Sequence, residues 1–265
     1  MKQTLDSLQQ LKQKNQPIVV LTAYDASFAK LLSEQGVEAI LVGDSLGMVI
    51  QGHDSTVPVS MDQMVYHTQC VAKGNRGSLI IADMPYMSYA DTDTSLKNAT
   101  RLMQAGANMI KIEGGSWLVP SIKALTEKGI PVCAHLGLTP QSVDALSGFK
   151  VQGREQQAAD RLVEDALAVE AAGSRLIVLE CIPQDLAQKI TKQLKIPTIG
   201  IGAGNQTDGQ VLVLHDLLGL DQDFRPKFVR DFFDDNAVHS ISDAIKAYIA
   251  TVKDRSFPNQ NQSFN

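Results

Sequence analysis

The chain has 265 residues, 44% of them hydrophobic and 20% charged, with a formal charge of −5. That length can bury a full α/β core; the mild acidity argues against nucleic acid as a partner, and no apolar run approaches the roughly 18 residues of a membrane span. Cys70, Cys133 and Cys181 form no CxxC pair, and the N-terminus "MKQTLDSLQQLKQKNQ" lacks the apolar stretch of a secretory signal. The expectation is a cytoplasmic protein with reduced thiols and neither a zinc site nor a disulfide frame.

In chain order, a short N-terminal helix precedes eight apolar runs: "PIVVLTAYD" (17–25), "EAILVGDS" (38–45), "SLIIADMPY" (78–86), "MIKIEGG" (109–115), "PVCAHLGL" (131–138), "RLIVLECI" (175–182), "PTIGIG" (197–202) and "VLVLHDLL" (211–218). Near-continuous apolar strands imply burial on both faces, as in a parallel sheet. Between them lie helical stretches such as "SFAKLLSEQG", "TSLKNATRLMQAG" and "EQQAADRLVEDALAVEAAG", each ending at a glycine suited to a left-handed cap. Eight strands with intervening helices predict a (β/α)8 TIM barrel in one domain over residues 1–265, with an open doubly wound sheet as the alternative. The rhythm falters between Gly202 and Val211, where there is room for a turn but not a full helix. One more amphipathic helix, "AVHSISDAIKAYIATVKD", precedes a polar tail (about 254–265) expected to fray unless something docks it.

A barrel builds its active site at the carboxyl ends of its strands. Those ends carry Tyr24 and Asp25, Asp44 and Ser45, Asp83, Lys111 and Glu113, His135, and Glu180. By strand alternation Lys111 and Glu113 share a face while Ile110 and Ile112 face the helices. Asp44, Asp83 and Glu180 are expected to continue the inward rows of Val42, Ile81 and Val178. Asp25 and Asp93 are read as helix caps or turn formers, and His135, taken alone, as a satisfied core histidine.

Three converging carboxylates repel unless a cation sits among them, and oxygen ligands select a hard ion, Mg2+ first. Asp44, Asp83 and Glu113 are the ligand candidates, directly or through water. Lys111 is then a fixed charge for a substrate carboxylate, and Glu180, in the apolar setting of Cys181, Ile182 and Pro183, a base for a carbon acid. Metal, ammonium and base together suggest enolate formation from a 2-oxo acid. The glycine-rich "IGIGAGNQTDGQ" is read as close packing at the rim, with phosphate binding the alternative. Gly43 and Gly47 are expected to let the backbone turn tightly around Asp44 and Ser45, and the segment 47–60 to fold over the site as a cover.

The stretches "LTAYDASFAKLL", "ILVGDSLGMVIQGHDSTVPVSMDQM", "ADMPYMSY", "IKIEGG", "PVCAHLGLTPQSV", "LECIP" and "IGIGAGNQTDGQVLVLHDLLGL" occur in order along nearly the whole chain. They closely resemble the 3-methyl-2-oxobutanoate (ketopantoate) hydroxymethyltransferase family. The resemblance implies a barrel of the phosphoenolpyruvate/pyruvate superfamily and one Mg2+ per subunit. It also implies transfer of a hydroxymethyl group from 5,10-methylenetetrahydrofolate to 3-methyl-2-oxobutanoate, giving 2-dehydropantoate in the first step of pantothenate synthesis. Carried over by position, Asp44, Asp83 and Glu113 match the metal ligands. Asp44, Ser45, Asp83 and Lys111 match the 2-oxo acid contacts, Glu180 matches the proton acceptor, and His135 lies beside the same pocket. The family typically forms large homo-oligomers, often decamers. One departure is the tail, "FPNQNQSFN" where "FP…EHSF"-like endings are common. The rival readings are a Mg2+-dependent carbon–carbon lyase or mutase of the same superfamily, a Schiff-base aldolase built on Lys111, and a non-catalytic barrel.

Overall fold

The structure is a computed structural model describing residues 2–221, 225–234 and 237–265. Its elements run α1 (Leu5–Gln13), β1 (Ile18–Thr22), α2 (Ala26–Glu34), β2 (Ala39–Val42), α3 (Leu46–Val49), α4 (Met61–Gly74), β3 (Leu79–Asp83), α5 (Thr92–Ala105), β4 (Met109–Glu113), α6 (Val119–Glu127), β5 (Val132–Gly137), α7 (Gln156–Ala171), β6 (Leu176–Glu180), α8 (Gln184–Gln193), β7 (Thr198–Ile201), β8 (Gly209–Leu212), α9 (Leu214–Leu217) and α10 (Ile241–Lys253). The eight strands pair in parallel, in chain order, and close by pairing β1 with β8. This is the (β/α)8 barrel, and the open-sheet alternative is excluded.

Strand alternation divides the core in two. Ile18, Val20, Leu41, Ile81, Met109, Cys133, Val178, Ile199 and Val211 fill the barrel interior. Val19, Leu21, Ile40, Val42, Ile80, Ile110, Ile112 and Ile177 face the helices. The helices start where their sequences place capping oxygens: Asp25 accepts from the Ser27 and Phe28 amides, and Ser60 forms a reciprocal box with Gln63. Gly106, at φ 113°, ends α5 in the left-handed region. The cap of α5 is Asp91, whose side chain accepts from Thr94 N–H, so Asp93 lies within the first turn of the helix instead of capping it.

The last strand departs from expectation. β8 spans Gly209–Leu212 and the apolar run continues into α9, so 211–218 is part strand and part helix. Both pieces are buried, and an unbroken apolar run carries no period to tell them apart. No helix separates β7 from β8; the closing helix is α10, whose buried Tyr248 hydroxyl reaches the carbonyls of Val20 and Gln210 across the β1–β8 seam. At the opposite end α1 covers the barrel floor, with Leu8 packed on the interior and Lys12 paired to Asp208 at 2.7 Å.

The polar tail is docked. Phe257 is buried against Phe232 and Tyr248, Gln184 N–H donates to the Phe264 carbonyl, and Lys227 Nζ donates to the Ser263 carbonyl. One buried aromatic, Phe257, and two backbone carbonyls thus hold a segment most of whose other residues are polar.

Candidate active site

Asp44, Ser45, Asp83, Lys111, Glu113, His135 and Glu180 all line one cavity of about 780 Å³ at the carboxyl ends of the strands. Lys111 and Glu113 point inward from β4 as their spacing requires, as do Asp83 from β3 and Glu180 from β6. Asp44 arrives by a different route. Val42, expected in its inward row, packs in the outer layer, and Asp44 reaches the cavity through the turn that follows β2. Gly43 and Gly47 do not take left-handed conformations there. They are needed for space: a Cβ at Gly43 would stand 2.7 Å from Ser45 Oγ, and one at Gly47 2.5 Å from Val59 Cγ2. The glycines of "IGIGAGNQTDGQ" serve packing as well, since a Cβ at Gly204 or Gly209 would strike Gln184 or the Ile18 carbonyl.

The polar groups form one network. Asp44 N–H donates to Asp83 Oδ2 at 3.0 Å, and Asp83 Oδ1 lies 2.8 Å from Lys111 Nζ. Lys111 Nζ is also 3.5 Å from Glu113 Oε1, which accepts from His135 Nδ1 at 3.0 Å. The opposite ring nitrogen, Nε2, sits 3.1 Å from Glu180 Oε2, although not aligned as a hydrogen bond. Lys111 Nζ approaches His135 Nδ1 to 3.3 Å; with Nδ1–H given to Glu113 this is a contact between cations. His135 is therefore no isolated core histidine, and Glu180 does not stand in a purely apolar setting. Ser45 Oγ pairs with the buried Tyr24 hydroxyl at 2.9 Å.

Charge explains the proton affinities. Burial and the carboxylates of Asp83 and Glu113 raise the Asp44 pKa well above the ordinary range. Burial also raises that of Asp83, despite the opposing pull of Lys111. For Lys111, burial opposes the charged form but three surrounding carboxylates outweigh it and hold the ammonium protonated. Burial and Lys111 depress His135, yet Glu113 and Glu180 on either side bring it to about 9. Burial would raise Glu113, and His135, Lys111 and the Gln141 amide pull it down to about 2. When ionised, the four carboxylates exceed the two cations, an imbalance that a divalent cation offsets.

Gln141, in the turn after β5, organises this network, and neither spacing nor residue type pointed to it. Its side-chain amide donates to Asp44 Oδ2 (2.7 Å) and the Met84 carbonyl (3.0 Å), its carbonyl accepts from Tyr89, and its backbone N–H donates to Glu113 Oε2 (3.1 Å). A glutamine in a turn looks like a solvated loop residue; only the fold shows it 4% exposed between two carboxylates. Gln141→Ala is expected to raise the KM for the substrate bound in this cavity about 5- to 150-fold, the equivalent of about 1–3 kcal/mol for a buried charged acceptor losing its donor. An unchanged KM removes Gln141 from this role.

Asp216 on α9, hidden in a run read as strand, is a further cavity carboxylate. Burial, with Asp221 and Glu180 nearby, pushes its pKa up to about 6. An unfolded aspartate releases its proton near 4, so the folded state loses relative stability as pH rises from about 4 to 6 and carries the full cost above that. Asp216→Asn should accordingly gain about 3 kcal/mol in urea denaturation at pH 8 and almost nothing at pH 4. A gain equal at both pH values contradicts this origin.

The arrangement admits a hard cation. Asp44 and Asp83 adjoin one another with raised proton affinity, and buried Asp83 Oδ1 has no aligned hydrogen bond. Both oxygens of Glu113 are engaged, and among the described residues no three His, Cys, Asp or Glu side chains are grouped as a ready-made metal cage. Two carboxylates with waters and substrate oxygens completing the shell is the usual manner of holding Mg2+.

The sequence profile described as ketopantoate hydroxymethyltransferase matches residues 2–260. The chain belongs to the ketopantoate hydroxymethyltransferase family. The 3-methyl-2-oxobutanoate hydroxymethyltransferase of Marinobacter nauticus is 56% identical over 261 residues, 98% of both chains. That of Idiomarina loihiensis is 55% identical over 263 residues, 99% of this chain and 98% of its own. Among solved structures, a phosphonopyruvate hydrolase complex with oxalate and Mg2+ superposes with TM-score 0.63 at 16% identity, covering 96% of this chain and 97% of the other. A 2,3-dimethylmalate lyase of the phosphoenolpyruvate mutase/isocitrate lyase superfamily superposes with TM-score 0.58 at 17% identity, covering 80% and 81%. These two share the barrel with the ketopantoate hydroxymethyltransferase family; the family match, not that fold, separates hydroxymethyl transfer from the lyase and mutase alternative.

Proposed function

We propose that this chain transfers a hydroxymethyl group to 3-methyl-2-oxobutanoate, giving 2-dehydropantoate, with 5,10-methylenetetrahydrofolate as donor. The observation that carries the site assignment is the convergence of Asp44, Asp83, Lys111, Glu113, His135 and Glu180 in one cavity. Asp44, Asp83 and Glu113 would hold Mg2+, directly or through water. When bound, the ion supplies Lewis-acid stabilisation of charge on the keto oxygen. Lys111 and the Ser45 hydroxyl, oriented by Tyr24, receive the substrate carboxylate. Glu180, the least buried carboxylate of the network, at 14%, accepts the C3 proton. The His135 imidazolium, fixed by Glu113, holds Glu180 in place and offsets its charge before the proton arrives. Segment 47–60, which presents Met48, Val49 and His53 to the cavity, covers the site and excludes water. Lys111 serves as an ammonium and not as a Schiff-base nucleophile, because the carboxylates around it keep it protonated.

The chain is expected to act as a cytoplasmic homo-oligomer. Exposed Tyr66, Tyr86, Met87 and Trp117 support self-association, and no helix among the described residues is long and apolar enough to cross a membrane. The deciding experiment is a hydroxymethyl-transfer assay with methylenetetrahydrofolate and 3-methyl-2-oxobutanoate. Product should form with Mg2+ and fall to background with EDTA; equal rates in both overturn the metal assignment, and no product under either condition overturns the reaction.

A further inference from the structure

Beside the charged cluster the cavity has an aliphatic wall: Val178 of β6, Ile201 of β7 and Val211 of β8 are all buried and all line it. Strand register makes these three neighbours of Glu180. Ile201 is its pairing partner across β6–β7. The β7–β8 pairs Ile199–Gly209 and Gly200–Gln210 bring Val211 level with Ile201 on the next step. Val178 lies two residues before Glu180 on the same strand and so on the same face.

We infer that Val178, Ile201 and Val211 seat the two methyl groups on C3 of the 2-oxo acid and thereby set which branched 2-oxo acids the cavity accepts. The inference rests on the reaction proposed above. A 2-oxo acid is polar at C1 and C2 and apolar beyond, so a cavity with the Asp44, Asp83 and Lys111 cluster on one side and the aliphatic wall beside Glu180 on the other orients it in a single sense. Burying the methyl groups against aliphatic carbon is favourable, whereas turning them toward the charged cluster would strip water from Asp44, Asp83 and Lys111 without replacing its hydrogen bonds. With the methyls on Ile201 and Val211, the C3 proton points to Glu180 in the same row. The branched wall thus acts in positioning as well as in selection. Phe228, against which a Cβ on Gly202 would stand 3.0 Å away, also lines the cavity.

The test is competition between 3-methyl-2-oxobutanoate and its one-carbon-longer homologue 3-methyl-2-oxopentanoate, read as the ratio of kcat/KM within one enzyme preparation, where the folded fraction cancels. Ile201→Ala is expected to shift the ratio toward the longer acid by about tenfold or more, the value of one methylene in an apolar pocket. Val211→Ile is expected to shift it the opposite way and to favour 2-oxobutanoate, which lacks one methyl. Ratios unmoved in both variants, with an active wild type, overturn the seat while leaving the reaction intact. A wild type that turns over none of these acids overturns the reaction and the seat together.

Discussion

Glu180→Gln is expected to lower exchange of the C3 proton of 3-methyl-2-oxobutanoate with solvent by about 10²- to 10⁴-fold, the contribution of a positioned general base. The change removes one negative charge and keeps the side chain's shape, so 2-oxo acid and Mg2+ binding should survive. Proton exchange in deuterated buffer, followed by NMR without the folate donor, isolates this step. His135 Nε2 lies 3.1 Å from Glu180, and the glutamine can present its carbonyl oxygen to that nitrogen. The local geometry is therefore retained and the loss belongs to the missing base. Near-normal exchange would move the proton acceptor elsewhere.

Lys111→Met is expected to damage both stability and binding. The ammonium is 4% exposed and stands 2.8 Å from Asp83 and 3.5 Å from Glu113. Removing it leaves buried carboxylates facing one another with no fixed counter-charge from β4, a loss of about 3–5 kcal/mol in denaturant unfolding. The same substitution deletes the proposed partner of the substrate carboxylate, which should raise the KM for the 2-oxo acid by about 100-fold or more. The two readouts separate the roles. A destabilised variant with an unchanged KM would mean that Lys111 only neutralises its neighbours. A raised KM at full stability would mean that the carboxylates have found another counter-charge.

Much of the architecture was legible because burial on both faces leaves a direct trace. Eight Val- and Ile-rich runs became eight barrel strands, and acids at strand ends converged because a closed parallel sheet sends all its carboxyl ends to one rim. The misplacements have physical causes. Val42 and Asp44 looked like one inward row, but β2 ends at Val42 and a turn redirects the chain. Residues 214–217 are helical within an apolar run that has no period to declare it. The tail reads as polar because its buried aromatic, Phe257, is outnumbered by polar residues.

What the sequence by itself determined is residue chemistry and strand alternation: which side chains carry charge, which strands deliver them, and the family motif that names the reaction class. The tertiary structure alone decided who touches whom. Gln141 became a bridge between Asp44 and Glu113, His135 a cation between two carboxylates, and Asp216 a half-buried acid in the cavity wall. Hydrogen bonds and ion pairs act over about 3 Å, and the partners here lie as much as 97 residues apart in the chain. Only closure of the barrel sets those distances.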